Sequence, residues 1–233
     1  MTDPGTSTRL ILVRHGEAHC NVDNIVAGER MCVGLTDQGR EQSECLAKYL
    51  GEQGNRRSIS TIYSSTAPRA VQTAEIIGQT IKRPVFAAFP APIYGEAEGK
   101  SWSEVVAALG GTPTLLPHVP IAAGAESWIV FARRTAQELN EVVLQHPNET
   151  VLVVAHHETV IAAAQSFLGL VPWSRADITF RMGYTAQTVW QKERLSWSDP
   201  EDDYWRWTLV RHNDTRHLTT MLPRRESQVA SWD

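Results

Sequence analysis

Two short apolar runs in this 233-residue chain each end directly at a histidine. Residues 10–13 read LILV and lead into Arg14 and His15, while residues 151–155 read VLVVA and lead into His156. Runs of this length and composition are typical of strands buried on both faces of a parallel sheet. Ligands of such sheets bind at the carboxyl ends of the strands. We therefore expect both histidines to face one pocket, although 141 positions separate them in sequence.

Strand and helix patterns alternate along the rest of the chain, which predicts a three-layer α/β/α sandwich with a mostly parallel central sheet. Residues 84–124 interrupt this alternation with six prolines and one short helical pattern. A segment of that kind predicts a lid, inserted at residues 87–124. Further strands are predicted at 58–63, 177–181, 185–191 and 204–211, and helices after Thr36, after Pro68, at 125–146 and at 159–168.

The length suits one hydrophobic core, so we expect a single domain over residues 1–233 with loose ends at 1–8 and 222–233. The formal charge of −4 gives no attraction to nucleic acid or to an anionic membrane, and we expect neither as a partner. Three cysteines without paired spacing, and a start that lacks a secretory signal, favour a cytoplasmic protein. A homodimer is compatible with this sequence.

The residue types at the two strand ends suit phosphate chemistry. A neutral imidazole is a competent nucleophile toward phosphorus, and a guanidinium offers a rigid fork of donors that matches phosphate oxygens. Arg14 stands beside His15 on the first strand. Arg69 follows Pro68 in the first turn of a predicted helix, where a cation is unfavourable unless an anion lies nearby.

Six sequence blocks occur along the chain in this order: RHGE (14–17) with Asn21, LTDQGREQ (35–42), SSTAPRAVQTA (64–74), GAES (124–127) with Arg133, VVAH (153–156), and HND (212–214) with His217 and Leu218. Together they resemble the signature of the histidine phosphatase superfamily, also called the phosphoglycerate mutase-like fold, and the last block resembles its phosphatase branch. The resemblance covers most of the chain.

The resemblance implies a role for each matching residue. His15 would be the nucleophile that forms a phosphohistidine intermediate, and Arg14, Arg69 and a protonated His156 would stabilise the charge on the phosphoryl group. Because these groups supply the positive charge, neither a metal nor a cofactor is expected. Three more residues are expected at the substrate: Asn21 through the resemblance, and Glu17 and His157 at the rim.

The proton donor for the leaving group is the weakest match. The position that corresponds to the family's glutamate falls on Ala91, which cannot supply a proton. A small shift of the loop would put Glu96 there instead, and Glu96 is our predicted donor. Glu98 is the next candidate and Glu158 a third.

The sequence thus predicts a metal-independent phosphomonoesterase acting on a small phosphorylated metabolite. Two alternatives stay open. A phosphoglycerate mutase would return the phosphoryl group to another hydroxyl, and a phosphate-binding scaffold would keep the pocket with little or no turnover.

Overall fold

The computed structural model describes residues 7–52, 59–171, 176–195, 204–219 and 221. Its strands are β1 (Ser7–Arg14), β2 (Ile59–Ser65), β3 (Val85–Phe89), β4 (Thr150–Ala155), β5 (Gln187–Arg194) and β6 (Trp205–Asp214). Its α-helices are α1 (His19–Val22), α2 (Asp37–Glu52), α3 (Pro68–Ile81), α4 (Trp102–Leu109), α5 (Trp128–Gln145) and α6 (His157–Phe167). The predicted alternation of strand and helix is confirmed.

One six-stranded sheet orders these strands β3-β2-β4-β1-β5-β6. The pairs β3 with β2, β2 with β4 and β4 with β1 are parallel, whereas β5 runs antiparallel to β1 and β6 antiparallel to β5. The two strands that precede the histidines, β1 and β4, are therefore central neighbours. All six residues of β4 are buried, as its uninterrupted apolar sequence predicts.

Alternate residues of β1 face opposite sides of the sheet. Leu10 and Leu12 pack in a core with residues of α5 and α6, such as Leu139 and Val160. Residues 11 and 13 pack instead with residues of α2 and α3. Because successive strand side chains point to opposite faces, one short run contributes to two cores. This arrangement confirms the predicted three-layer sandwich.

The structure corrects the sequence interpretation at three places. Residues 85–89 form an edge strand, β3, within the stretch predicted to be irregular. Among the described strands it pairs only with β2, and prolines flank it at residues 84 and 90. Residues 177–181 form no strand, although their sequence alternates. Ser7 and Thr8, placed in the loose amino end, are buried residues of β1. The predicted tail from residue 222 lies outside the described residues.

Helix starts follow the capping chemistry of the sequence. Thr36 Oγ1 accepts the Gly39 amide at 3.0 Å at the start of α2, which confirms the predicted threonine cap. Helix α5 begins at Trp128 because Ser127 caps it, three residues later than the periodicity predicts. Among the described helices, none combines the length and apolar character required to cross a membrane.

Candidate active site

The parallel pairing of β1 with β4 brings the two strand-end histidines together. Arg14 pairs with Ala155 in the register, so the next residues, His15 and His156, leave the sheet side by side. The His15 amide donates to the Ala155 carbonyl at 3.0 Å, and the two imidazole centroids lie 5.4 Å apart. Both side chains are buried at the carboxyl edge of the sheet, where the sequence placed them.

Hydrogen bonds determine which nitrogen of His15 carries the proton. Nδ1 lies 2.7 Å from the Gly16 carbonyl oxygen, which can only accept, so Nδ1 donates. Nε2 accepts from Nε of Arg69 at 3.1 Å, which can only donate. Burial and the positive charges of Arg69 and Arg14 hold the pKa of His15 well below its usual value. His15 is therefore a neutral imidazole whose Nε2 lone pair faces the arginine.

His156 is neutral for the same reason. Its Nδ1 accepts from a terminal nitrogen of Arg69 at 3.1 Å, and its Nε2 lies 2.8 Å from Ser65 Oγ, to which it donates. Burial, followed by the charges of Arg69 and His15, lowers the pKa of His156 well below its usual value. His156 is therefore neutral in the ligand-free site, because a buried cation already lies against the ring, and the expectation of a protonated His156 beside a bound phosphoryl group stays a prediction.

Arg69 connects the two histidines. It lies in the first turn of α3, where Pro68 occupies the first helical position, and its third bond runs to the Gly28 carbonyl at 3.2 Å. The residue is only 5% exposed, and within the described residues no carboxylate lies at ion-pair distance from its guanidinium. A buried cation with no carboxylate partner among the described residues is suited to bind an oxyanion, because the anion would supply the missing charge.

The second arginine of the site, Arg14, also acts on His15 through its charge. Its guanidinium donates to the Met182 carbonyl at 2.7 Å and stacks 4.1 Å from the centroid of the Tyr184 ring. The Tyr184 centroid is 6.2 Å from that of His15. Burial lowers the pKa of Arg14 from its usual value, and the charges of Tyr184 and Glu158 oppose that effect. Two guanidinium groups thus flank one imidazole.

Two glycines allow the His15 loop to pack closely on α2. A Cβ at Gly16 would overlap the Gly39 carbonyl, and a Cβ at Gly39 would overlap the backbone of Glu17. The Gly16 amide also donates to Thr73 Oγ1 at 3.0 Å, which ties the loop to α3. The glycine that follows His15 therefore fixes the position of the imidazole through close backbone contact.

The predicted substrate residues are held by protein groups. The Asn21 side-chain oxygen accepts the Ala18 amide at 3.2 Å in the one-turn helix α1. Glu17 is buried and accepts the Thr36 hydroxyl at 2.8 Å. His157 is the first residue of α6 and donates to the Phe180 carbonyl at 2.6 Å. The group that Asn21 can offer a ligand is therefore its amide nitrogen.

The predicted proton donors differ in their surroundings. Glu96 is exposed on a 3₁₀ turn over residues 95–97. Glu98 accepts the Met31 amide at 3.2 Å and lies 3.6 Å from Arg30. Glu158 lies in the first turn of α6, half-buried, and its charge acts on Arg14. The described hydrogen bonds of His15 and His156 involve neither Glu96 nor Glu98.

Sequence reasoning missed three residues that shape this site. Ser65 supports His156, and Tyr184 stacks on Arg14; the first is within a quoted block, whereas Tyr184 carries no motif signal. Arg134, rather than the neighbouring Arg133, pairs with Glu126 at 2.6 Å. The sequence alone cannot distinguish Arg134 from Arg133, because both arginines follow the GAES block (124–127) at similar spacing. In the described part of the chain no set of three or more acidic, histidine or cysteine side chains is arranged to hold a metal ion.

The fold and the site define a three-layer α/β protein in which paired strand-end histidines are bridged by one buried arginine. The model of the histidine phosphatase superfamily (branch 1) matches residues 10–215, and the chain belongs to this family. This confirms the family predicted from the sequence blocks.

Curated relatives include two proteins of Arabidopsis thaliana. Phosphoglycerate mutase-like protein 4 is 28% identical over 158 residues, which is 63% of this chain and 65% of that protein. A metal-independent phosphoserine phosphatase is 29% identical over 156 residues, 64% of each chain. The match thus spans somewhat less than two thirds of the length of these relatives.

Solved structures match over nearly their whole length. A mycobacterial glucosyl-3-phosphoglycerate phosphatase superposes with a TM-score of 0.73 at 24% identity, covering 89% of this chain and 99% of that one. Phosphoserine phosphatase from Entamoeba histolytica, solved with 3-phosphoglyceric acid, gives 0.72 at 25% identity, covering 91% and 99%. These likenesses support the same fold for this chain.

Proposed function

We propose that this protein is a metal-independent phosphomonoesterase that hydrolyses a small phosphorylated metabolite through a phosphohistidine intermediate on His15. The observation that carries the proposal is the protonation pattern of His15. With a carbonyl acceptor at Nδ1 and an arginine donor at Nε2, His15 is a neutral imidazole whose Nε2 lone pair faces a cation. That is the form of histidine able to attack phosphorus.

A bound phosphate would replace the bond between Arg69 and His15. Its oxygens would take up the arginine N–H groups, and Nε2 would then face the phosphorus atom along the line of displacement. The developing charge on the equatorial oxygens would be met by Arg69, Arg14 and His156. The dianion also favours a protonated His156, which would give the site a third cation during the reaction.

The substrate class is supported by the site and by the relatives together. The arginines and histidines around His15 suit the phosphoryl group, which all phosphate monoesters share. Similar proteins are named for phosphoserine and for glucosyl-3-phosphoglycerate, both small phosphate monoesters. We propose that residues 87–124 determine which alcohol group of a phosphate ester is accepted. This segment adjoins the site and departs most from the regular alternation of strand and helix.

Trapping of the intermediate tests this function. The full-length protein is mixed rapidly with a radiolabelled small phosphate monoester and quenched in alkali, where phosphohistidine persists. We expect label on wild type at His15, none on His15→Ala, and phosphate release that survives a chelator. Phosphate release without label on wild type would contradict the proposed intermediate.

The same experiment separates the alternatives. A mutase would convert 3-phosphoglycerate to its isomer with little release of phosphate, and a scaffold would neither label nor turn over. We propose the cytoplasm as the location, because Cys20, Cys32 and Cys45 are free thiols. We propose that neither nucleic acid nor a membrane is a partner, since a net charge of −4 does not attract nucleic acid or an anionic membrane surface.

A further inference from the structure

The reaction proposed above needs an acid, because an alkoxide leaves phosphorus poorly unless it is protonated as the bond breaks. The corresponding family position holds Ala91, whose buried methyl group cannot supply a proton. The backbone of Ala91 is nevertheless held in place: its amide donates to Thr66 Oγ1 at 3.1 Å, and its carbonyl accepts from Arg134 at 3.1 Å. A carboxylate hydrogen-bonded to Thr66 would therefore lie close to Ala91, the position at which the family pattern has its proton donor.

Glu29 is the residue that reaches it. The Thr66 hydroxyl donates to Glu29 Oε2 at 3.2 Å, and the same hydroxyl accepts the Ala91 amide. Thr66 directly follows Ser65, the partner of His156. The Thr66 hydroxyl thus connects the Glu29 carboxylate with the Ala91 amide. Thr66 also adjoins Ser65, whose hydroxyl is hydrogen-bonded to His156.

The backbone around Glu29 is also fixed to the site. Gly28, the preceding residue, gives its carbonyl to Arg69 at 3.2 Å, and Arg69 in turn contacts both histidines. Glu29 is exposed, so its carboxyl group is accessible to a substrate that enters from solvent. The segment therefore carries a carboxyl group at the rim of the arginine and histidine cluster.

We propose that Glu29 is the proton donor of this enzyme, in place of the glutamate that the family pattern would put at position 91. The inference rests on the proposed function. As Nε2 of His15 forms its bond to phosphorus, the bond to the ester oxygen breaks and that oxygen takes the proton of Glu29. The Glu29 carboxylate then accepts a proton from water as the water oxygen bonds to phosphorus and the bond to Nε2 breaks. The products are the alcohol and inorganic phosphate.

Other carboxyl groups fit this role less well. The Glu98 side chain is 8% exposed, lies 3.6 Å from Arg30 and accepts the Met31 amide. Glu96 lies on the 3₁₀ turn, and its own amide bonds to the Ala123 carbonyl on the far side of the same segment. Glu29, in contrast to these two, is hydrogen-bonded to Thr66, the residue adjacent to Ser65.

Leaving-group dependence tests the proposal. Glycerol 2-phosphate releases an alkoxide that needs a proton, whereas 4-nitrophenyl phosphate releases an anion that is stable without one. For Glu29→Gln we expect kcat/KM, which reports the steps up to release of the alcohol, to fall by about 10²-fold to 10⁴-fold on the alkyl ester, the usual range for general acid catalysis, with a much smaller loss on the aryl ester. Glu75→Gln, an exposed change on α3, is the matched control and is expected to behave as wild type.

Three results would overturn the assignment. They are wild-type kinetics of Glu29→Gln on the alkyl ester, an equal loss on both esters, and a selective loss in Glu96→Gln that Glu29→Gln does not show. Failure of the proposed function gives a different pattern, because wild type would then acquire no label at His15. Labelled wild type combined with fully active Glu29→Gln would refute only the proton donor.

Discussion

Replacing Arg69 with methionine should separate stability from anion binding. The change removes three hydrogen bonds from a charged donor, to His15, His156 and Gly28. At about 1.5–3 kcal/mol each, these bonds total about 4.5–9 kcal/mol. Against that loss stands the release of a buried charge with no carboxylate partner among the described residues, which is worth several kcal/mol. The two effects are similar in size, so we expect the free energy of unfolding to change by about 2 kcal/mol or less.

The response to an anion should change far more. Orthovanadate at a concentration of 100 times its Kd would stabilise wild type by about 2.7 kcal/mol. A chain of this size gains about 2–4 °C of Tm per kcal/mol, which gives a rise of about 5–11 °C. Arg69→Met should show almost none of this rise, because the anion then loses the cation that faces both histidines.

Thermal melts with and without vanadate measure both quantities, and urea titration measures the free energy of unfolding. Arg216→Met is the control, since it removes an exposed arginine paired with Asp214 and should retain the vanadate response. A full rise of Tm in Arg69→Met would refute the argument. So would a loss of stability above about 4 kcal/mol, because the buried charge would then be compensated by something other than an anion.

The depressed pKa values of His15 and His156 mean that unfolding takes up protons below the unfolded pKa of about 6.5, so Tm should fall between pH 7.5 and 5.5. A Tm that rises on acidification in melts over this window would contradict the neutral imidazoles. Gly39→Ala should cost about 1–3 kcal/mol in urea denaturation because its Cβ would overlap the Glu17 backbone. Gly51→Ala on the same helix should not destabilise, because its Cβ would make only an ordinary contact with Ile81 at 4.0 Å. Tyr184→Leu should raise KM by removing a stacking worth about 0.5–2 kcal/mol, and Tyr184→Phe, which keeps the ring but loses the hydroxyl that bonds to Arg14, should raise it less; equal KM values for the two variants would exclude the stacking as a contributor.

The sheet was predictable where side-chain burial produces a pattern in sequence. Strands buried on both faces, such as β4, read as unbroken apolar runs, and Thr36 and Pro68 mark helix starts by their own chemistry. Strand β3 was missed because it is an edge strand whose three central residues are exposed. Residues 177–181 show the reverse error, since an alternating sequence is necessary for a half-buried strand but does not supply a neighbouring strand.

The site was predictable only where function leaves a motif. Blocks around His15, Arg69 and His156 pointed to the cluster, and the structure brings those residues together. No sequence motif marks Glu29 or Tyr184. Each is a single residue in an irregular loop, and only the course of the backbone brings it to the site. The neutral state of His156 was equally hidden, since it depends on one contact with Arg69 that connects distant segments.

The pairing of β1 with β4 also has a consequence for how this protein reaches its active state. The register that places Arg14 against Ala155 closes a loop of more than half the chain, and closing a long loop is entropically costly during folding. No single described helix or strand formed from residues close in sequence contains both histidines. Recovery of activity after dilution from denaturant should therefore lag behind recovery of helix, and it reports the moment at which the two central strands have joined.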